Sequence, residues 1–158
     1  MKSNIAKRSI ELIAFAVALA SFAPSAFAQC SLARAAGKYG FSDSGAVLGV
    51  GPRAAVGLLT FDASGKLQGL VTASLNGSVS QTTVSGTYEV RADCSGTAQL
   101  TESALDASGH LVTTLIATVA IVWDNNMREA RFLFTSTALP DNTPLATVIS
   151  GDAEKLVP

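Results

Sequence analysis

The chain has 158 residues, with 11 Lys and Arg against 12 Asp and Glu, a formal charge of −1 and an apolar fraction of 48%. That composition is one of a folding protein and not of a disordered one, and it leaves no basic excess to hold nucleic acid or an anionic membrane. One histidine and two cysteines, well separated in sequence, do not offer ligand spacing for a metal such as zinc.

The first 28 residues are read apart from the fold. Lys2, Lys7 and Arg8 form a basic start, 12–22 is an apolar stretch too short to span a bilayer, and Ala26-Phe27-Ala28 is a small-x-small cleavage site. This predicts a secretory signal peptide over 1–28 and a single mature domain over 29–158, exported to the periplasm or the medium. A membrane anchor is disfavoured by the short apolar run and Pro24, and a lipidated Cys30 by Gln29, which stands where a lipobox has a small residue. The leader carries three basic residues and one acidic one, so the mature part holds 8 against 11, a formal charge of −3. In an oxidising compartment Cys30 and Cys94 are expected to form an intramolecular disulfide, with an intermolecular bridge or two free thiols as the alternatives.

The mature part is a succession of short segments with the period-2 alternation of half-buried strands. Strands are predicted over 37–42, 54–62, 66–75, 82–90, 96–102, 111–124, 128–136 and 145–151, with a glycine-rich loop over 43–53. Val84, Gly86, Tyr88 and Val90 alternate with Thr83, Ser85, Thr87 and Glu89. The breaks, Asp62-Ala63-Ser64-Gly65 and Asn76-Gly77, supply residues that tolerate positive φ where a hairpin reverses. Eight strands with short links predict an all-β, antiparallel up-and-down barrel, since closure removes the exposed edges of so long a meander. The sequence Phe61-Asp62-Ala63-Ser64-Gly65-Lys66-Leu67 recurs as Leu105-Asp106-Ala107-Ser108-Gly109-His110-Leu111, read equally as a duplicated half-barrel or as one turn motif used twice.

With those residues in view, a resemblance is apparent. C-S-L-A at Cys30, G-x-Y-x-F-S-x-S-G from Gly37, A-A-V-G-x-L-T-F-D-x-x-G from Ala54, S-L-N-G-x-V from Ser74, G-T-Y-x-V-x-x-D-C-x-G-T from Gly86 and V-x-S-G-x-A from Val148 resemble a group of small exported bacterial proteins. Their barrel is similar to that of allene oxide cyclase. The resemblance implies a calycin-like eight-stranded barrel with an interior cavity. It carries over no catalytic residue, because the acidic and pocket residues of the cyclases have no matching motif here.

Face parity selects the candidate site. If Val84, Gly86, Tyr88 and Val90 point inward, so do Tyr39, Phe41, Ala98, Leu100, Phe132 and Phe134. Tyr39, Phe41, Tyr88, Phe132 and Phe134 are therefore the candidate ligand-binding residues. Glu102 shares their parity and is the one catalytic candidate, an acid at the barrel mouth, against the commoner reading of a charged strand end in water. His110 falls in a turn and reads as a solvated turn residue. Gly49-Val50-Gly51-Pro52-Arg53-Ala54 fits a dinucleotide fingerprint but has Pro52 inside it and a strand after it, so no nucleotide is expected. The run Leu111–Trp123 is apolar on both faces, and the face outside the barrel predicts cover by the termini or a homo-oligomer seated on this strand. The expected function is binding of a small apolar ligand in the barrel, without cofactor or metal. The alternatives are a cofactor-free isomerase or cyclase and a structural envelope protein with a filled barrel.

Overall fold

The computed structural model describes residues 30–106, 108–124 and 126–157. The expected signal peptide lies outside them. A short helix α1 (Leu32–Ala35) precedes eight strands: β1 (Gly37–Val47), β2 (Gly51–Phe61), β3 (Lys66–Leu75), β4 (Ser78–Val90), β5 (Ser95–Leu105), β6 (Leu111–Trp123), β7 (Glu129–Ala138) and β8 (Thr147–Lys155). Each strand pairs antiparallel with the next, and β8 returns to pair with β1, closing an up-and-down barrel. Every edge is thereby consumed in a ladder.

The alternation predicted for the strands sets their faces. Tyr39, Ala55, Phe61, Leu67, Val71, Val84, Tyr88, Ala98, Val119 and Ile121 are buried inside, while Val56, Leu58 and Leu70 lie exposed on the outer wall. The predicted loop over 43–53 is corrected: β1 runs on to Val47 and β2 starts at Gly51, leaving a turn over 48–50 closed by the Val50 amide donating to the Val47 carbonyl at 3.0 Å. Its glycines suggest a loop, yet at least one of them serves the sheet. A side chain on Gly45 would overlap the Val148 carbonyl of the paired strand, so glycine there permits close approach of β1 and β8. Asn76 and Gly77, at φ 51° and 83°, make the tight β3–β4 reversal.

The twice-used D-x-S-G sequence forms one turn twice. The Asp62 carboxylate accepts from the Ser64 amide at 2.8 Å and the Lys66 amide at 2.9 Å, and Asp106 accepts from the Ser108 and His110 amides at 2.8 and 2.9 Å. These bonds to the charged form hold both carboxylates below the usual aspartate range, the Lys66 and His110 amides being the largest contributors.

The two ends of the barrel are built differently. One end gathers the β2–β3, β4–β5 and β6–β7 turns with α1, and it is plugged. Tyr39, Phe61 and Tyr88 stack edge to face with ring centroids 5.1 and 4.8 Å apart, and Trp123 lies 6.4 Å beyond Tyr88. Met127 and Ala35 are fully buried over them. The Cys30–Cys94 disulfide holds α1 across this end and closes a loop of 64 residues, worth about 4 kcal/mol in the chain-entropy model. The opposite end, with the β1–β2, β3–β4, β5–β6 and β7–β8 turns, is open. There a bulge in β7 between Phe134 and Ser136 shifts its register against β6 and brings Thr137 inward.

Candidate functional site

The interior changes character partway along the barrel. Above the aromatic plug lies a cavity of about 50 Å³ lined by Phe41, Leu59, Val71, Ala98, Phe132 and Phe134 among others. Beyond it, toward the open end, lies a second chamber of about 320 Å³, walled by Ala73, Leu75, Val79, Thr82, Ala104, Val112 and Leu115. Arg53 and Glu102 line both spaces, and Asp43 lines the inner one. These three side chains form the partition.

The partition is an ion cluster. The Arg53 guanidinium donates from Nε to Asp43 Oδ1 at 3.2 Å and from Nη2 to Oδ2 at 3.1 Å, a two-pronged pairing, and from Nη1 to Glu102 Oε2 at 2.9 Å. Side-chain exposures of 9% for Arg53, 1% for Asp43 and 6% for Glu102 take all three from bulk water. Burial alone would lower the Arg53 pKa, but the charge of Glu102 and the hydrogen bonds and charge of Asp43 outweigh it and raise the value, so the guanidinium is charged. It also sits 5.6 Å from the centre of the Phe134 ring, a cation–π contact. Charged groups are rare in so small an interior because desolvation costs several kcal/mol per ion before pairing offsets it.

The structure separates the five aromatic candidates into two groups. Phe41, Phe132 and Phe134 line the inner cavity, with Phe132 6.3 Å from each of the other two rings. Tyr39 and Tyr88 belong to the plug, their hydroxyls engaged by backbone: Tyr39 donates toward the Ala35 and Met127 carbonyls at 2.8 and 3.0 Å, and Tyr88 to the Asp62 carbonyl at 2.6 Å. Burial, then neighbouring charge, pushes both phenols up to about 12. Glu102 keeps the inward parity expected of it, but the reading of a charged strand end in water is corrected: it is buried, and its place between the chambers follows from β5 extending to Leu105. His110 stands exposed in its turn, Nδ1 3.5 Å from Asp106 Oδ2.

Sequence reasoning misses Asp43 and Arg53, which fall in the supposed loop. Their signal was present: Tyr39, Phe41 and Asp43, and Arg53, Ala55, Gly57, Leu59 and Phe61, continue one alternation on each side of the turn. Two inward glycines serve close strand contact. A side chain on Gly86 would collide with the Gln99 carbonyl, and one on Gly69 with the Leu58 carbonyl and Leu59, so these positions let strands coil closely. Ala73 and Ala98 do border open space. Among the described residues no group of three or more His, Cys, Asp and Glu side chains is placed to hold a metal ion.

No family model matches the chain, and no curated protein sequence does. Among solved structures it is similar to a protein described as EF1p2_mFAP2b bound to DFHBI, at 8% identity and a TM-score of 0.54, over 82% of this chain and 100% of that one. A redesigned beta barrel, mFAP1, bound to DFHBI, matches at 13% identity and a TM-score of 0.47 over 79% and 98% of the two chains. At such identity the first of these likenesses is one of fold, in agreement with the closed barrel.

Proposed function

We propose that this chain is an exported barrel of the allene oxide cyclase-like group, released from a leader over 1–28, that binds a small, largely apolar molecule in its open chamber. The observation that carries the reading is the pairing of a 320 Å³ space, open at one end and mostly apolar in its walls, with a buried ion cluster at its floor. Small-molecule sites have this form: apolar walls for the body of the ligand and a few fixed polar groups to orient it. Phe41, Phe132 and Phe134 bound the smaller space beneath, which has room only for a small substituent reaching past Arg53. The disulfide is compatible with an oxidising compartment.

The test is binding of a neutral solvatochromic dye such as Nile red to the oxidised mature protein, with Ala104→Phe as the variant that fills the chamber. Saturable binding by the wild type and its loss in the variant, with a melting temperature within a few degrees, is the expected result. Equal dye binding by both proteins would remove the chamber from the reading. A cofactor-free isomerase is a second reading, favoured by the place of Glu102 between the two spaces, where an acid could meet a bound substrate. The outward Ile116 and Val122 of β6 stay exposed in the single chain, which supports a homo-oligomer seated on Leu111–Trp123. Light scattering behind size-exclusion chromatography that gives a strict monomer at high concentration would dispose of it.

A further inference from the structure

The charge count of the partition goes further than ligand binding. Two carboxylates surround one guanidinium, and they do not share it equally. Asp43 takes the two-pronged pairing, whereas Glu102 receives a single bond on Oε2. Among the described residues no donor reaches Glu102 Oε1. Nor does any reach the hydroxyl of Thr82, which is 4% exposed and lines the same chamber. The two residues are buried as a whole, yet these oxygens stay open to the chamber, so a bound donor would meet acceptors that no described protein group takes.

The remaining groups around the chamber do not supply that donor. Among the described residues Arg53 is its only basic lining residue, and Asp106 near the rim adds a further negative charge. The Asp106 carboxylate is held in its ionised form by the His110 and Ser108 amides, and His110 itself projects into solvent. With Asp43, Glu102 and Asp106 against Arg53, the field inside favours cations and opposes anions. Of the five N–H groups of Arg53 three are engaged, so an incoming carboxylate would find two donors, but only while lying against Glu102.

The geometry points to a ligand whose apolar body fills the open chamber and whose polar end is an ammonium or another strong hydrogen-bond donor, seated on Glu102 and Thr82, with carboxylic acids of the same body turned away. This rests on the open chamber being a binding site. Leu75, Val79, Val112 and Leu115 supply the apolar wall. The ammonium would make a charge-assisted hydrogen bond to Oε1 and bring the cluster to neutrality.

Three probes with one body and different heads test it: octylammonium, 1-octanol and octanoate, titrated calorimetrically into the mature protein at neutral pH below their aggregation concentrations. Octylammonium should bind at least about tenfold more tightly than octanoate, with octanol between them. In Glu102→Gln the ratio of octylammonium to octanol affinity should fall by about tenfold. If that variant does not fold, the order of the three heads on the wild-type protein decides alone. Octanoate binding as well as or better than octylammonium overturns the inference and leaves the chamber a binding site. Failure of all three to bind while Nile red binds likewise overturns only the preference for the head. Failure of the dye as well overturns the binding reading itself.

Discussion

The two ends of this barrel use the same alternating strands for opposite purposes. At the plugged end inward positions are filled by Tyr39, Phe61, Tyr88 and Trp123, the tyrosine hydroxyls bonded to backbone carbonyls and the Trp123 Nε1 buried without a partner among the described residues, and a disulfide locks the cover in place. At the open end the inward positions include Ala73, Thr82 and Ala104, small side chains that leave the chamber between them and Leu75 and Leu115. Between them lies the Arg53 cluster. The difference teaches that strand count sets the diameter of the barrel, while the sizes of the inward side chains at each level decide whether that level is core or chamber.

That comparison can be broken most severely at the partition. Arg53→Ala should destabilise the protein by about 3–5 kcal/mol, because it leaves Asp43 and Glu102 buried and unpaired; denaturant midpoints measure it. Replacing all three by apolar residues of matched volume should restore most of that loss and still abolish the preference for a cationic head. An ion cluster retained for stability alone would not behave so. Next, Cys30→Ser with Cys94→Ser should lower stability by about 2–4 kcal/mol and leave dye affinity little changed, since the bond lies at the far end from the chamber.

Within the plug, Tyr39→Phe should cost about 1–3 kcal/mol, as the Ala35 and Met127 carbonyls lose their buried donor. The chain has two tyrosines, so phenolate absorbance reports on the plug directly. Both phenols have folded pKa values raised from 10.0 to about 12. Their contribution to stability is therefore complete below pH 10 and drains away as pH rises toward 12, and the phenolate transition should coincide with unfolding. A pair of tyrosines that titrates near pH 10 in the folded protein would show that the plug is wet.

The smallest effects belong to the turns. Asp62, Asp93, Asp106, Asp124 and Asp141 all have pKa values lowered from 3.8, with hydrogen bonds to the charged carboxylate at each. Their support is present above about pH 4 and is lost as pH falls through the depressed folded values. Asp62→Asn and Asp106→Asn should each flatten the acid limb of the stability curve slightly, the first at the plugged end and the second at the rim. An unchanged acid limb in both would mean that the turns form equally well without the charge.

Much of this was legible in the chain because alternation is a local signal. Val84 to Val90 shows which way each side chain points, and Asn76-Gly77 shows where the strand reverses. The site was less legible for two physical reasons. Glycine marks turns and close strand contacts alike, so Gly45, Gly49 and Gly51 concealed the strand ends that carry Asp43 and Arg53. A lone inward Glu102 looks like a solvated strand end until its counter-ion, 49 positions earlier in sequence, is known to face it. Which aromatic residues line a cavity and which form a plug depends on their level along the barrel axis. Parity carries no information about level, so Tyr39 and Phe41 could not be told apart.

Closure of the barrel by β8 on β1 also fixes where the protein can be held. The Leu156 amide donates to the Lys38 carbonyl at 2.8 Å and Lys155 Nζ to the Arg34 carbonyl at 2.9 Å, so the first and last described segments meet at the plugged pole. Anything joined directly ahead of Cys30 or after Val157, whether an affinity tag, a fusion partner or a solid support, is therefore carried at the pole away from the mouth. A circular permutant joined across that pole and cut at Asn76-Gly77 would reverse the polarity, carrying its attachment at the rim and its sealed base outward.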